Sequence, residues 1–166
     1  RIAILERGLF PDGASTKNAG FTCFGSISEL ENDLQNIGRS GAASLVMNRY
    51  RGLQLLREEL GDKPIQYEEV GGYEVCFDSP SLNRIEFFND LVEPFLGQRP
   101  YSVVARDGFG LTTKVHALIK NKLEGTVNTG KMIAALQDKV SRAGVITYTQ
   151  SDVLQIDDYH EGKKVF

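Results

Sequence analysis

Two neighbouring features near the start of the chain could bind a nucleotide. Residues 2–5 form a continuous aliphatic run, which is typical of a strand buried on both faces of a parallel sheet. Glu6 follows directly and precedes Arg7 and Gly8, so its carboxylate lies at the carboxyl end of the predicted strand. Folds that bind dinucleotides place here the acid that accepts hydrogen bonds from the adenosine ribose. An exposed acid at a strand end is also common, so Glu6 alone leaves both interpretations open.

The second feature is the segment of residues 13–20, which reads Gly-Ala-Ser-Thr-Lys-Asn-Ala-Gly. Small residues permit a close approach of the backbone to a flat or phosphorylated ligand. Ser15, Thr16 and Asn18 offer hydrogen-bonding groups, and Lys17 offers a positive charge. An ordinary loop can have this composition, but the position directly after the strand and its acid favours a ligand-binding loop.

The text around these features resembles a known family. "AILERG", "PDGASTKNAGF" and the following "GS" are similar to the second strand and loop of FAD-dependent oxidoreductases of the D-amino-acid oxidase, glycine oxidase and sarcosine oxidase superfamily. The later text "EGTVNTGKMIAALQDKVSRAGVITYTQSDV" is similar to the point where the family's chain returns from its substrate domain. The resemblance covers residues 1–25 and about 124–157, and it covers the middle of the chain only in layout.

This resemblance implies an α/β fold, namely an incomplete Rossmann-type FAD-binding domain with an inserted α+β substrate-domain segment. Residues 1–62 are expected to form a partial FAD-binding domain, residues 63–125 the inserted segment, and residues 126–166 the return to the FAD-binding domain. The family oxidises an amine or amino acid by hydride transfer to the flavin, so the expected partners are FAD and a small amine or amino-acid substrate.

The resemblance also assigns residues to the adenosine part of FAD. Glu6 would accept hydrogen bonds from the ribose, and Arg7 would flank the adenine. Val153 would offer backbone hydrogen bonds to the adenine. These three assignments are carried over from the family's motif, position by position.

The small-residue segment would serve the other end of the cofactor. By the same resemblance, Ser15 would lie near the pyrophosphate, and Asn18, Ala19 and Gly20 would approach the isoalloxazine. Some relatives attach the flavin through a histidine in this loop, and residues 15–18 contain none, so no such link is expected. No residue is predicted as a catalytic base, and no metal site is predicted.

Composition and charge narrow the function further. The chain has 166 residues, of which 41% are hydrophobic and 25% charged, as in an ordinary globular domain. The net charge of −3 disfavours a nucleic-acid partner, and no apolar run is long enough to span a membrane. Cys23 and Cys76 are too few for a disulfide framework, so we expect reduced thiols and a cytoplasmic protein. Cys23 is expected to be a plain buried thiol.

The basic residues Lys114, His116, Lys120 and Lys122 alternate with apolar ones. On a strand they would share one face, which could bind an anion such as a substrate carboxylate or could simply be solvated. Tyr67 and Tyr73 in a predicted hairpin could line a substrate pocket, or they could belong to the core or form cross-strand pairs.

Both ends of the sequence predict an internal piece of a longer protein. The chain opens with Arg1 and a strand, without the Gly-x-Gly-x-x-Gly strand that should precede it, and the family's later strands are missing after Phe166. We expect the piece alone to be inactive. The alternative is a non-catalytic binding or oligomerisation module, in which the unpaired edge of residues 2–5 pairs with a second copy.

Apolar spacing and capping signals predict the order β, loop, α, α, β-hairpin, α, β, α, β, β. Ser28 with Glu31 predicts a capping box, and Ser79 with Pro80 predicts a helix start. Further expectations are a helix break at residues 38–41, helix ends at Gly61 and Gly97, a hairpin of residues 65–70 with 73–77, a strand (or short helix) over residues 114–123, a helix from Asn128 or Thr129 to Gly144, and strands at residues 145–149 and 153–157.

Overall fold

The computed structural model describes residues 2–107, 109–111, 114–159 and 162–165. Two compact units are present, one made of Arg1–Ala19 with Asn128–Phe166 and the other of Gly20–Val127. The strands are β1 Ala3–Leu5, β2 Phe21–Thr22, β3 Gly72–Cys76, β4 Tyr101–Val104, β5 Ala117–Asn121, β6 Gly125–Thr126, β7 Ile146–Tyr148, β8 Ile156–Tyr159 and β9 Gly162–Val165. The helices are α1 Ala14–Lys17, α2 Ile27–Leu60, α3 Asp62–Ile65, α4 Leu82–Leu96 and α5 Thr129–Arg142.

The first unit contains a parallel pair of strands. β1 runs beside β7, with Ala3 opposite Ile146 and Leu5 opposite Tyr148. The strand predicted at residues 2–5 is confirmed, but its burial on both faces is wrong, because Leu5 is 45% exposed. Burial on both faces requires a covering layer on each side. Ala3, Ile4 and Leu5 are all exposed, so the described residues of this unit do not bury β1 on both faces.

Helix α5 follows its local signals. Asn128 is the N-cap, and its side chain accepts a hydrogen bond from the Lys131 N–H at 3.0 Å, so the predicted start is confirmed. Gly144 has a positive φ of 78° beyond the last turn, which agrees with the predicted stop. The strand predicted at residues 145–149 is confirmed as β7. The strand predicted at residues 153–157 is displaced, because the chain turns back through residues 149–151 and becomes a strand only at β8.

The second unit is built on a three-stranded antiparallel sheet in the order β3-β5-β4, and α4 packs against α2 and β4. β5 is the central strand, and its residues Leu118 and Ile119 are buried. A short antiparallel pair, β2 with β6, completes the unit's strands in the described residues. The core combines aromatic and aliphatic side chains from α2, α4, β5 and the segment before α2, among them Phe24, Leu30, Val46, Phe88, Val92 and Ile119.

The predicted hairpin of residues 65–70 with 73–77 is wrong. β3 pairs with β5 instead, while Glu68 exchanges backbone hydrogen bonds with Thr126 of β6. Ile65 ends the short helix α3, and Gln66 adopts a left-handed conformation with a φ of 52°, so the segment does not enter as a regular strand.

The predicted strand face of four basic residues is not formed. The strand predicted over residues 114–123 is confirmed only from Ala117 to Asn121, so Lys120 alone of the four basic residues lies in it. Lys114 and His116 precede the strand and are exposed, and Lys122 lies in the turn that follows. The alternation therefore reflects a central strand with buried neighbours and not a continuous cationic surface.

Helix α2 begins two residues earlier than predicted. Ser26, and not Ser28, is the N-cap, and the capping box pairs it with Glu29. The predicted break is confirmed at Gly38, whose φ of 70° and ψ of 175° are not helical. Gly61 ends the helix as predicted, with its N–H donating to the Arg57 carbonyl at 2.8 Å.

Helix α4, in contrast, begins later than predicted. Ser81 is its N-cap, so Ser79 and Pro80 lie outside the helix and the predicted start is wrong. Ser81 has the extended backbone of an N-cap, with a ψ of 113°, and its side chain makes no capping hydrogen bond. Gly97 ends the helix in a left-handed conformation, as predicted.

A run of consecutive backbone N–H groups leads into helix α2 and is bound by side chains. The Phe24 and Gly25 N–H groups donate to Glu124 Oε1 at 2.9 and 3.4 Å. The Ser26 N–H donates to Glu29 Oε2 at 3.2 Å. The N–H groups of the next residues, Ile27 and Ser28, donate to the two oxygens of Glu74 at 2.9 and 3.2 Å.

We call Glu29, Glu74 and Glu124 the carboxylate clamp. The first N–H groups of a helix have no partner inside the helix, and that end carries a partial positive charge. Carboxylates are therefore the acceptors best suited to it. Because Glu74 lies on β3 and Glu124 follows β5, the clamp fixes the start of α2 to the sheet.

Burial raises the pKa of Glu124 from its ordinary value of 4.5, against the opposing effect of its two backbone hydrogen bonds. A raised pKa means that the folded state holds the proton more tightly than the unfolded state. The free energy of unfolding should therefore fall as the pH rises from 4.5 through the raised value.

We predict that Glu124→Gln flattens this pH dependence, because glutamine does not titrate but keeps an acceptor oxygen. Glu124→Ala should destabilise the fold at every pH, since each unsatisfied buried N–H costs about 1–3 kcal/mol. Urea unfolding between pH 4 and 8 measures both effects, with the exposed Glu58→Gln as the matched control. An unchanged pH dependence in Glu124→Gln would contradict this role.

Candidate functional site

The end of the parallel strand pair positions the acid that the sequence singled out. The Glu6 N–H donates to the Tyr148 carbonyl at 2.8 Å, and the Ser151 N–H donates to the Glu6 carbonyl at 2.9 Å. The Gln150 N–H donates to the Gly8 carbonyl, also at 2.9 Å. The segments that leave β1 and β7 are therefore hydrogen-bonded side by side at the carboxyl end of the sheet.

The Glu6 carboxylate is folded over its own turn. Its Oε1 accepts the Gly8 N–H at 2.7 Å, and Oε2 has no hydrogen bond among the residues that the structure describes. A Cβ at Gly8 would lie 2.9 Å from the Phe10 carbonyl oxygen, so only glycine fits this turn. The site thus combines a free carboxylate oxygen with closely approachable backbone, a donor and acceptor set that fits the ribose of a dinucleotide.

Arg7 and Val153 lie at this same end of the sheet. Arg7 is exposed and separates Glu6 from Gly8. Val153 is 40% exposed and comes two residues after Ser151, which donates to the Glu6 carbonyl. The structure therefore brings the three residues assigned to adenosine to one edge.

The small-residue segment is partly helical. Ser15 is exposed on the single turn α1, and Asn18 follows the turn with an extended ψ of 146°. The Thr129 hydroxyl donates to the Thr16 carbonyl at 3.1 Å and ties α1 to α5. Ala19 is exposed at the end of the first unit.

Gly20 begins the second unit and is buried, with a positive φ of 82° that favours glycine. Its carbonyl accepts the Val127 N–H at 2.8 Å. This hydrogen bond continues the β2–β6 pairing. It therefore holds the first residue of the second unit, Gly20, beside its last residue, Val127. The segment of residues 13–20 is thus divided between the two units.

A cavity of about 640 Å³ lies within the second unit. The residues that line it include the aromatic Phe21 and Tyr101 and the carboxylates Glu29, Glu74 and Glu124. The described residues around the cavity include no lysine, arginine or histidine. The clamp that fixes helix α2 therefore also gives one wall of the cavity its negative charge.

Tyr101 joins this wall to the core. It is 4% exposed, and its hydroxyl donates to the Gly25 carbonyl at 2.9 Å. The Asn89 side chain exchanges two hydrogen bonds with the Tyr101 backbone. Burial, together with the nearby Glu124 charge, raises the pKa of Tyr101, so the phenol stays protonated and acts as a donor.

Asn121 faces the cavity from the end of β5 and is 4% exposed. Its Oδ1 accepts the Leu123 N–H at 3.1 Å. Its amide nitrogen is directed toward Glu124 but makes no hydrogen bond of ordinary geometry with the described residues. Buried amide nitrogens are normally paired, so this one marks a place where a ligand oxygen could bind.

Sequence reasoning missed Glu74, Glu124 and Asn121. A local signal existed only for Glu124, which lies between Leu123 and Gly125, because an acid directly after an apolar strand is unusual. Their partners lie far away in sequence, so the spacing of neighbouring residues could not reveal them.

Three other candidates also have definite positions. Tyr73 is among the residues around the cavity, but its ring packs against Phe109 and beneath Lys120 of the paired strand, which agrees with the cross-strand interpretation. Tyr67 is buried beneath Arg57 and is not among the residues that line the cavity. Cys23 borders the cavity and is exposed, so the expectation of a buried thiol is wrong. Burial of part of its side chain and the Glu124 charge raise its pKa, which keeps it a thiol.

The part of the chain that the structure describes contains no cluster of histidine, cysteine and acidic residues able to hold a metal ion. It also contains no helix with the length and apolar character that crossing a membrane requires.

Comparisons with known proteins agree with the resemblance found in the sequence. The family model described as FAD dependent oxidoreductase matches residues 1–166. Comparison with curated proteins gives no match.

Solved structures show the fold. Glycine oxidase from Bacillus cereus ATCC 14579 matches with a TM-score of 0.59 at 21% identity, over 99% of this chain and 46% of that one. Glycine oxidase from Geobacillus kaustophilus gives 0.62 at 20%, over 99% and 44%. L-proline dehydrogenase from P. horikoshii gives 0.64 at 15%, over 98% and 41%.

The chain thus spans less than half the length of these proteins. The mixed arrangement of helices and small sheets corresponds to part of an FAD-dependent oxidoreductase domain, as expected. From the match along its whole length, the chain belongs to the FAD-dependent oxidoreductase family.

Proposed function

We propose that this chain contributes to the oxidation of an amine or amino acid by an FAD-dependent enzyme. The observation that carries the proposal is the Glu6 carboxylate, which keeps one oxygen available beside the glycine turn at the carboxyl end of β1. The FAD, when bound, supplies the hydride acceptor, and the protein supplies binding and orientation. Residues 1–62 and 126–166 would serve the cofactor, and residues 63–125 would belong to the substrate domain.

The adenosine half of the cofactor is assigned to the first unit. Glu6 would accept hydrogen bonds from the ribose hydroxyls through its available oxygen, and Gly8 would leave room for them. Arg7 would flank the adenine, and the Val153 backbone would hydrogen-bond to it. The fixed hydrogen bonds between the ends of β1 and β7 support this proposal, because they preorganise the edge before the ligand arrives.

The remaining contacts are assigned to the small-residue segment. Ser15 would lie near the pyrophosphate, and Asn18, Ala19 and Gly20 would approach the isoalloxazine. The exposure of Ser15 and Asn18 is consistent with ligand contact. We also propose a cytoplasmic location for the protein.

We predict that the protein expressed from its complete gene binds FAD and that an amine substrate bleaches the visible flavin absorbance without oxygen. Glu6→Ala should weaken FAD binding about tenfold or more, because a hydrogen bond to a charged group contributes about 1.5–3 kcal/mol. Titration of the apoprotein with FAD measures this.

Two variants serve as controls for that titration. Glu6→Gln keeps an acceptor for the Gly8 N–H and should lose less affinity than Glu6→Ala, and Asp138→Asn changes an exposed acid on α5 and should lose none. A colourless protein that takes up no FAD would overturn the proposed function.

An oligomerisation role for β1 is the second candidate. Among the described residues β1 pairs only with β7, and Ile2 beside it is 72% exposed. An open edge with apolar side chains is a template for pairing with a second copy.

We predict that the chain forms dimers that Ile2→Lys disrupts, since a lysine at the edge opposes strand addition. Light scattering after size exclusion measures the mass. Leu55→Lys, at an exposed apolar position on α2, is the matched control and should leave the dimer intact. A wild-type chain that is strictly monomeric would rule out this candidate.

A further inference from the structure

The charged side chains that line the cavity of the second unit are all acidic. Glu29, Glu74 and Glu124 contribute carboxylates, and the described residues that line the cavity include no lysine, arginine or histidine. Lys120 lies nearby but on the other face of the sheet, with its Nζ 5.4 Å from the ring centroid of Tyr73. The remaining lining includes the apolar residues Phe21 and Ile119. These carboxylates would repel an anionic group on a ligand and attract an organic cation.

The carboxylates are held in place before any ligand binds. Glu74 and Glu124 each accept two backbone N–H groups, and Glu29 accepts one. A carboxylate has about four acceptor sites, so each retains capacity for a ligand ammonium group. Preorganised acceptors lose little entropy on binding, which favours affinity.

Asn121 provides an independent indication of a ligand. It is 4% exposed and borders the same cavity, and its amide nitrogen faces Glu124 without making a hydrogen bond of ordinary geometry with the described residues. Such a donor can bind an acceptor oxygen of a ligand, and beside three carboxylates a neutral oxygen such as a hydroxyl adds no further negative charge. Asn121 donates a hydrogen bond, whereas the carboxylates accept hydrogen bonds. The two features therefore specify two different groups of one ligand.

We infer that this cavity binds an amine with an aromatic or apolar body and a neutral oxygen, and that it disfavours an α-amino acid. The carboxylate clamp would accept the ammonium group, Phe21 and Ile119 would contact the body, and Asn121 would donate to the oxygen. The assignment of this amine as the substrate rests on the proposed function, whereas its binding does not.

Three probes that share one aromatic ring and one amino group test the inference. Benzylamine carries nothing more, phenylglycinol adds a hydroxymethyl group, and phenylglycine adds a carboxylate. Calorimetric titration of the protein from its complete gene should rank phenylglycinol tightest and phenylglycine weakest, with at least tenfold between them. Phenylglycine binding as tightly as phenylglycinol would overturn the inference.

Charge variants identify the cavity as the place of binding. Glu29→Gln and Glu74→Gln keep acceptor oxygens for the start of α2 but remove the charge. Each should therefore weaken benzylamine binding about three- to tenfold, and each should reduce the difference in affinity between benzylamine and phenylglycine. Glu58→Gln, on the exposed side of α2, should change neither. Thermal melts establish that the variants fold.

The possible failures can be distinguished. If the protein binds FAD but the charge variants leave the ranking of the three probes unchanged, the cavity inference is wrong and the proposed function stands. If the ranking and its dependence on Glu29 and Glu74 are found but no FAD binds, the cavity inference stands and the proposed function is wrong.

Discussion

The second unit depends on the satisfaction of the backbone N–H groups that lead into helix α2. These groups point toward the interior edge of the sheet, where water cannot serve all of them, and an unpaired buried N–H is costly. The carboxylate clamp meets this need with side chains from three separate places in the sequence. The same carboxylates then face the cavity, so a requirement of folding also determines the chemistry of the candidate substrate site.

Glycines make the clamp sterically possible. A Cβ at Gly72 would overlap Glu124 Oε2, and one at Gly125 would overlap the Glu68 carbonyl oxygen. A side chain at residue 125 would therefore collide with the backbone, and one at residue 72 would displace the Glu124 carboxylate from its place in the clamp. β3 and the β5–β6 turn can therefore approach each other only because both positions are glycine, and that approach brings Glu124 to the N–H groups of Phe24 and Gly25.

Local signals in the sequence predicted those parts of the fold that local physics decides. The strand before Glu6, the break at Gly38, the end of α2 at Gly61 and the Asn128 cap each depend on residues a few positions apart. The capping box was misplaced by two residues because Ser26 with Glu29 and Ser28 with Glu31 have the same spacing. The choice between them is made by Glu74, which binds the Ile27 and Ser28 N–H groups from another element.

The candidate site likewise contains residues that local signals could reveal and residues that only long-range contacts position. Glu6 and its turn could be found because the acid, the strand and the glycine are adjacent, and the family motif is contained in them. Glu124 and Asn121 could not be found, because their roles come from a strand pairing, β3 with β5, that replaced the expected local hairpin. The buried surface of β5 decided that pairing, and no short window of sequence contains both strands.

The most direct test of the clamp is native-state hydrogen exchange at the amides of residues 24–29. Ser28 and Glu29 are exposed residues, so only the clamp and the cap predict slow exchange there. The start of α4 is an internal reference, because Ser81 provides no side-chain hydrogen bond to Leu82 or Asn83. The account predicts protection at residues 24–29 well above that of Leu82 and Asn83, and equal, rapid exchange at both helix starts would contradict it.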